Sequence, residues 1–141
     1  MSFTASARSI DGTLRHEVDV NGRHTIITDE PASLGGTDTG PAPHELLPAT
    51  LASCISSMIV LYGQRKEWEL GGVRVDVDYD YESDPRRFDV TVHLPAGLTD
   101  DQVKRLRRVA DSCPVRHALE GEFVFDERIR IVEPVASAGH V

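Results

Sequence analysis

Cysteine and positive charge are both scarce in this sequence. Two cysteines in 141 residues cannot build the disulfide framework of a small secreted fold. The chain does not need one, being long enough to bury about two thirds of its unfolded surface as a single domain, residues 1–141. Lys plus Arg number 15 against 23 Asp plus Glu, a formal charge of -8. That balance repels phosphate backbones and anionic lipid, so neither nucleic acid nor a membrane is expected as a partner. Residues 1–8 lack the apolar core of a secretory signal, and Ser53, Ser56 and Ser57 interrupt the longest apolar run. A soluble, cytoplasmic protein is therefore expected. No GxSxG and no GxxxxGK[ST] occurs, which removes the serine-triad and phosphate-cradle readings. His44, Cys54, Cys113 and His117 could in principle gather round a metal, but no CxxC or HxxxH spacing supports it, so no metal or other bound cofactor is expected.

What is present is a segment, residues 40–61, that carries most of the apolar character and has Cys54 within it. Residues 43–61 read as a helix of about twenty residues with Pro43 in its first turn and Gly63 or Gly71-Gly72 past its end. Pro48 lacks a donor, so the first turns should kink or begin late. Leu47, Leu51, Cys54, Met58 and Leu61 fall on one stripe, and Leu46, Ile55, Ile59 and Val60 widen it until little of the circumference is polar. Such a helix wants burial on more than one side, which in so small a domain favours a partner chain.

The flanking segments alternate. Asp11-Gly12 and Asn21-Gly22 are turn signals, the second between residues 17–20 and 23–28 in a type I′ hairpin pattern, giving two or three antiparallel strands. Gly35-Gly36 and Gly40 in the following loop suggest backbone held close to another group. Val73, Val75, Val77, Tyr79 and Tyr81 alternate with charged residues, and Phe88, Val90, Val92 and Leu94 repeat the pattern after Asp84-Pro85, a second hairpin. Thr99-Asp100-Asp101-Gln102 forms a capping box before a helix whose Val103, Leu106, Val109 and Ala110 face inward. Pro114 ends that helix, a short turn covers residues 115–119, Phe123, Phe125, Ile129 and Ile131 make a last strand, and residues from Pro134 form a frayed tail.

The candidate chemistry lies in the thiols. Spacing alone makes Cys54 a small core residue, and Cys113, which continues the second helix's stripe, is explained in the same way. Their placement on two stripes that could meet, 59 residues apart, also suits a sulfenic acid resolved to a disulfide. At mid-helix Cys54 gains little from its own helix dipole. Holding it as a thiolate requires a cation from elsewhere, at about 1.4 kcal/mol of preferential stabilisation per pKa unit. Glu45, on a first helical turn, and Arg15 and Arg23, flanking a hairpin turn, are otherwise ordinary solvated residues.

Gly35-Gly36-Thr37-Asp38-Thr39-Gly40-Pro41-Ala42-Pro43-His44-Glu45-Leu46-Leu47, Ala52-Ser53-Cys54, Arg65-Lys66, Gly71-Gly72-Val73 and Cys113-Pro114-Val115 together resemble the OsmC/Ohr superfamily, the osmotically inducible and organic hydroperoxide resistance proteins. The resemblance covers nearly the whole chain. It implies an α+β fold with antiparallel sheets wrapped around two central helices in an intertwined homodimer. It also implies a peroxidase of oxidative stress defence that reduces organic hydroperoxides, with hydrogen peroxide as a further substrate, and an external dithiol or a lipoyl-type group as reductant. Carried onto this chain, Cys54 would be the peroxidatic thiolate, Cys113 the resolving thiol, and Arg15, or failing it Arg23, the cation. The family's peroxidases place an Arg-orienting Glu ten residues before the cysteine, where this chain has His44. The carboxylate here is Glu45, nine before and on the opposite helix face from Cys54, at about 100° per residue, whereas His44 is about 80° away. The departure points to the general OsmC-like branch. A non-catalytic dimeric binding module and a redox-sensing module are the alternatives.

Overall fold

The structure, a computed structural model, describes residues 1–132. It opens with a three-stranded antiparallel sheet of β1 (Ala5–Ser9), β2 (His16–Val20) and β3 (His24–Thr28), the upper end of the two or three strands expected. Both connections are tight for one reason. Asp11, Gly12, Asn21 and Gly22 have φ of 51, 69, 54 and 68°, and in each turn the following residue closes back on the carbonyl before the pair, Thr13 N to Ile10 O at 2.9 Å and Arg23 N to Val20 O at 3.2 Å. Left-handed backbone at both central positions is the type I′ geometry that matches strand twist.

After a loop with a 3-10 turn at Ala32–Leu34 and another at Pro43–Glu45, helix α1 runs over Leu46–Lys66. The α-helix begins late, as Pro48 requires, and Pro48 falls where a helix start leaves N–H groups unpaired in any case. By length and composition Pro43–Lys66 is apolar enough to cross a bilayer, its serines notwithstanding. Its buried residues are Leu51, Ile55, Ile59 and Gly63, a ridge of four-residue steps that corrects the expected stripe. Cys54 and Met58 pack at the edge of that ridge, while Leu47 and Leu61 are 37% and 38% exposed. The physical reason is that α1 meets its neighbours along one side only. Gly63 is inside the helix, not beyond it, because the chain folds back so closely there that a Cβ would lie 2.4 Å from Leu70 Cδ1. The stop comes at Glu67, left-handed at φ 57°.

Strands β4 (Arg74–Asp80) and β5 (Arg87–His93) form a separate antiparallel hairpin with Arg74 opposite His93 and Asp80 opposite Arg87. Val75, Val77 and Tyr79 turn inward and the charged residues between them outward, as the period of two predicts. Helix α2 (Asp100–Asp111) starts on the expected capping box: Thr99 Oγ1 accepts from Gln102 N at 3.1 Å and Gln102 Oε1 from Thr99 N at 2.8 Å. Residues 115–119, expected as a turn, belong to a further helix, α3 (Pro114–Glu120). Pro114 occupies its first position, where the ring's fixed φ favours starting a helix over stopping one.

The expected strand at Phe123–Ile131 is not formed. Among the described residues, 122–132 pair with nothing, and Phe125, Ile129 and Ile131 are about nine tenths exposed. A strand needs a neighbour for its alternate N–H and C=O groups, and both sheets of this chain end at their own edges. The tail expected from Pro134 lies outside the described residues. The core consists of Leu51, Ile55, Ile59, Leu70, Leu106 and Cys113, backed by Val75, Val77, Phe88 and Val92. No residue of β1, β2 or β3 belongs to it, so the N-terminal sheet stands apart from the helices in the single chain. The architecture is α+β.

Candidate active site

Cys54 lies two turns into α1, half-buried against the core, and Cys113 is fully buried at the start of α3; both are free thiols. The structure therefore brings together the two cysteines that the sequence separates by 59 residues. Cys113 caps α3, its Sγ accepting from Arg116 N at 3.4 Å. Burial holds the Cys113 thiol above its ordinary pKa, and the neighbouring Cys54 thiol pushes in the same direction. The contact with the Arg116 N–H pulls the other way and does not win. Cys113 is thus a protonated neighbour for Cys54.

Arg15 and Arg23 flank β2 of the N-terminal sheet, no strand of which contributes to the core that holds Cys113. Arg23 follows the β2–β3 turn and is exposed. Arg15, half-buried, donates from Nη1 to Thr39 Oγ1 and lies 3.5 Å from Thr39 O. Thr39 belongs to a fold the sequence reading missed. Asp29, 1% exposed, accepts from Glu30 N at 2.8 Å, Thr37 Oγ1 at 2.5 Å, Thr37 N at 3.3 Å, Thr39 N at 3.1 Å and Thr39 Oγ1 at 2.8 Å. The glycines were its signal. A Cβ on Gly36 would fall 1.9 Å from Glu30 O, and one on Gly40 2.8 Å from Ile27 O, so only glycine lets the loop close over the carboxylate.

Hydrogen bonds from the Thr37 hydroxyl, the Thr39 N–H and hydroxyl and the Glu30 N–H hold Asp29 far below the usual carboxylate range, the Thr37 hydroxyl contributing most. A carboxylate depressed on folding stabilises the native state above its unfolded pKa, near 4, and that stabilisation is lost as pH falls toward the folded value. Asp29→Asn should accordingly lower the thermal midpoint at neutral pH and flatten its acid dependence below about pH 4. Thermal melts from neutral to acid pH would show this, and parallel curves for the two proteins would refute it.

Glu45 does not reach an arginine among the described residues. Its Oε1 accepts from Ala42 N at 2.8 Å, capping the 3-10 turn that leads into α1. His44 packs edge-on against Tyr79 at 5.4 Å between centroids and tilted against Tyr81 at 5.1 Å. Both line an open groove of about 960 Å³ with Ala49, Ala52 and the loop residues Glu30 and Asp38. His117 is exposed on α3, and no three His, Cys, Asp or Glu side chains among the described residues are grouped to hold a metal. A second cleft, about 840 Å³, is lined by Leu47, Leu51, Phe88, Val90, Leu119 and Phe125, with Arg86 and Arg116 among its polar residues. Leu51 belongs to the buried ridge of α1, and Cys54 packs at that ridge's edge.

The chain is similar to known proteins in both sequence and fold. The sequence profile of OsmC-like proteins matches residues 36–128, which take in the loop from Gly36 onward, both cysteines and all three helices. An uncharacterized protein of Haloferax volcanii is 33% identical over 105 residues, covering 71% of this chain and 80% of its own. Among solved structures, a Psychrobacter arcticus protein assigned to osmotic stress induction and detoxification response aligns with a TM-score of 0.69 at 27% identity, covering 84% of this chain and 88% of its own. An organic hydroperoxide resistance protein of Elizabethkingia anophelis shares the fold at a TM-score of 0.59 and 24% identity, over 86% of this chain and 89% of its own. On this profile, the chain belongs to the OsmC-like protein family.

Proposed function

We propose that the protein is a thiol peroxidase that reduces organic hydroperoxides, and the observation that carries the reading is the meeting of Cys54 and Cys113 at the core edge. The Cys54 thiolate attacks the distal oxygen of R–O–OH. The O–O bond breaks, the alkoxide takes a proton and leaves as the alcohol, and Cys54 becomes a sulfenic acid. Cys113, deprotonated, attacks that sulfur and expels hydroxide, which leaves as water once protonated; the product is the Cys54–Cys113 disulfide. A cytoplasmic dithiol, of lipoyl type, returns two electrons.

The working unit is a homodimer. Three features support it: an N-terminal sheet with no share in the core, an open side of α1 carrying Leu47, Val60 and Leu61, and the unpaired apolar segment from Phe123 to Ile131. In that assembly Arg15 of one protomer serves the Cys54 of its partner, holding the thiolate and polarising the peroxide. Mixing the reduced protein with an alkyl hydroperoxide should consume two thiols per chain. Unchanged thiol counts with several peroxides would sink the proposal.

The direction of the Cys113 pKa adds a pH dependence. A thiol held high must ionise before it can resolve a sulfenic acid, so disulfide formation should accelerate about tenfold per pH unit between about pH 6 and 8. Rapid-mixing with a sulfenic acid trap should capture the intermediate at the acid end and lose it at the alkaline end. A flat profile would assign resolution to a different thiol.

A further inference from the structure

We infer that Asp29, acting through Thr39, is the positioning residue for the Arg15 guanidinium. The inference rests on the proposed role of Arg15 as the cation for Cys54 and deepens it. An arginine on a strand end swings through a large volume, and its field is useful at a thiolate only if the side chain is held in one place. In the family pattern a Glu at the helix start does this. Here Glu45 is committed to Ala42 N, and among the described residues Arg15 has no carboxylate partner. What Arg15 Nη1 meets is Thr39, at Oγ1 and O.

Thr39 is itself held at two atoms by one carboxylate oxygen, its N–H donating to Asp29 Oδ2 at 3.1 Å and its hydroxyl at 2.8 Å. The hydroxyl proton is thereby committed to Asp29 and its lone pairs face the guanidinium. The buried charge polarises the O–H, which makes the oxygen a stronger acceptor for Arg15. A neutral hydroxyl between the two charges orients the cation without capping it with a carboxylate. Of the five N–H donors of Arg15, those not turned to Thr39 remain for thiolate and peroxide. The closures at Gly36 and Gly40 and the Thr37 hydroxyl, 3.2 Å from Thr39 Oγ1, keep the acceptor in register.

The test compares full-length Arg15→Ala, Thr39→Val and Thr39→Ser in two readouts: kcat/KM for an alkyl hydroperoxide, and the pH midpoint of Cys54 alkylation measured in a Cys113→Ser background. Arg15→Ala and Thr39→Val should both cut kcat/KM and move the alkylation midpoint upward, Thr39→Val by about tenfold in rate. Thr39→Ser, which restores the hydroxyl, should behave as wild type, and the Arg15→Ala/Thr39→Val double variant should be no worse than Arg15→Ala. If Arg15→Ala shifts both readouts while Thr39→Val changes only the thermal midpoint, Thr39 is a loop staple and the inference is overturned. If Arg15→Ala leaves both unchanged, the assignment of Arg15 falls instead, and this inference with it.

Discussion

Replacing Cys54 with serine should reduce the thiols consumed by an alkyl hydroperoxide from two per chain to none, whereas Cys113→Ser should leave one equivalent consumed and a sulfenic acid in place. The asymmetry follows from position. A serine hydroxyl is not ionised near neutral pH and cannot attack the O–O bond, and the remaining Cys113 is buried and held protonated, so it does not replace Cys54. In the Cys113→Ser chain the peroxidatic step is intact and only the attack on the sulfenic sulfur is lost. Thiol titration with mass spectrometry of the adducts distinguishes the outcomes. A binding module predicts no loss in any of the three proteins. A redox sensor predicts a disulfide without turnover, and closing a loop of 59 residues would stabilise the oxidised form by about 4 kcal/mol on the chain-entropy account.

The parts of this fold that were legible in the sequence are those governed by neighbours along the chain. Asn21-Gly22 specified its turn through backbone φ alone, Thr99 and Gln102 found each other three residues apart, and alternation along residues 74–80 was enough to place β4. The misreadings concern contacts from afar. The buried side of α1 is decided by which elements approach it, and a helix apolar on nearly all sides offers periodicity no preference between Leu51-Cys54-Met58 and Leu51-Ile55-Ile59. The segment from Phe123 has the alternation of a strand but no partner strand among the described residues. Pro114 signals a stop to the helix before it, although the same locked φ makes it a start when a capping acceptor precedes it. At the site, the thiols were visible as residue types and Arg15 through resemblance. Asp29 was not, because its partners lie eight and ten residues ahead in a loop without periodicity, and the glycines around it showed only that something came close.

The two apolar sides of α1 can be told apart by truncating one residue on each. Ile59 has no exposed surface and sits in the ridge that meets the rest of the core, so Ile59→Ala should destabilise the chain by about 2–5 kcal/mol through lost burial and the cavity left behind. That loss should be independent of protein concentration. Leu61, two residues on and 38% exposed, retains much of its surface in the single chain, and Leu61→Ala should cost less than about 1 kcal/mol of intrachain stability. If the open side is the dimer surface, the Leu61 change appears elsewhere, as weaker self-association and a midpoint that falls on dilution. Urea titrations at two protein concentrations, with sedimentation to read the assembly state, separate the cases. Equal losses in both variants at every concentration would mean that α1 is buried symmetrically within one chain, and the proposal that a partner's Arg15 serves Cys54 would lose its geometric basis.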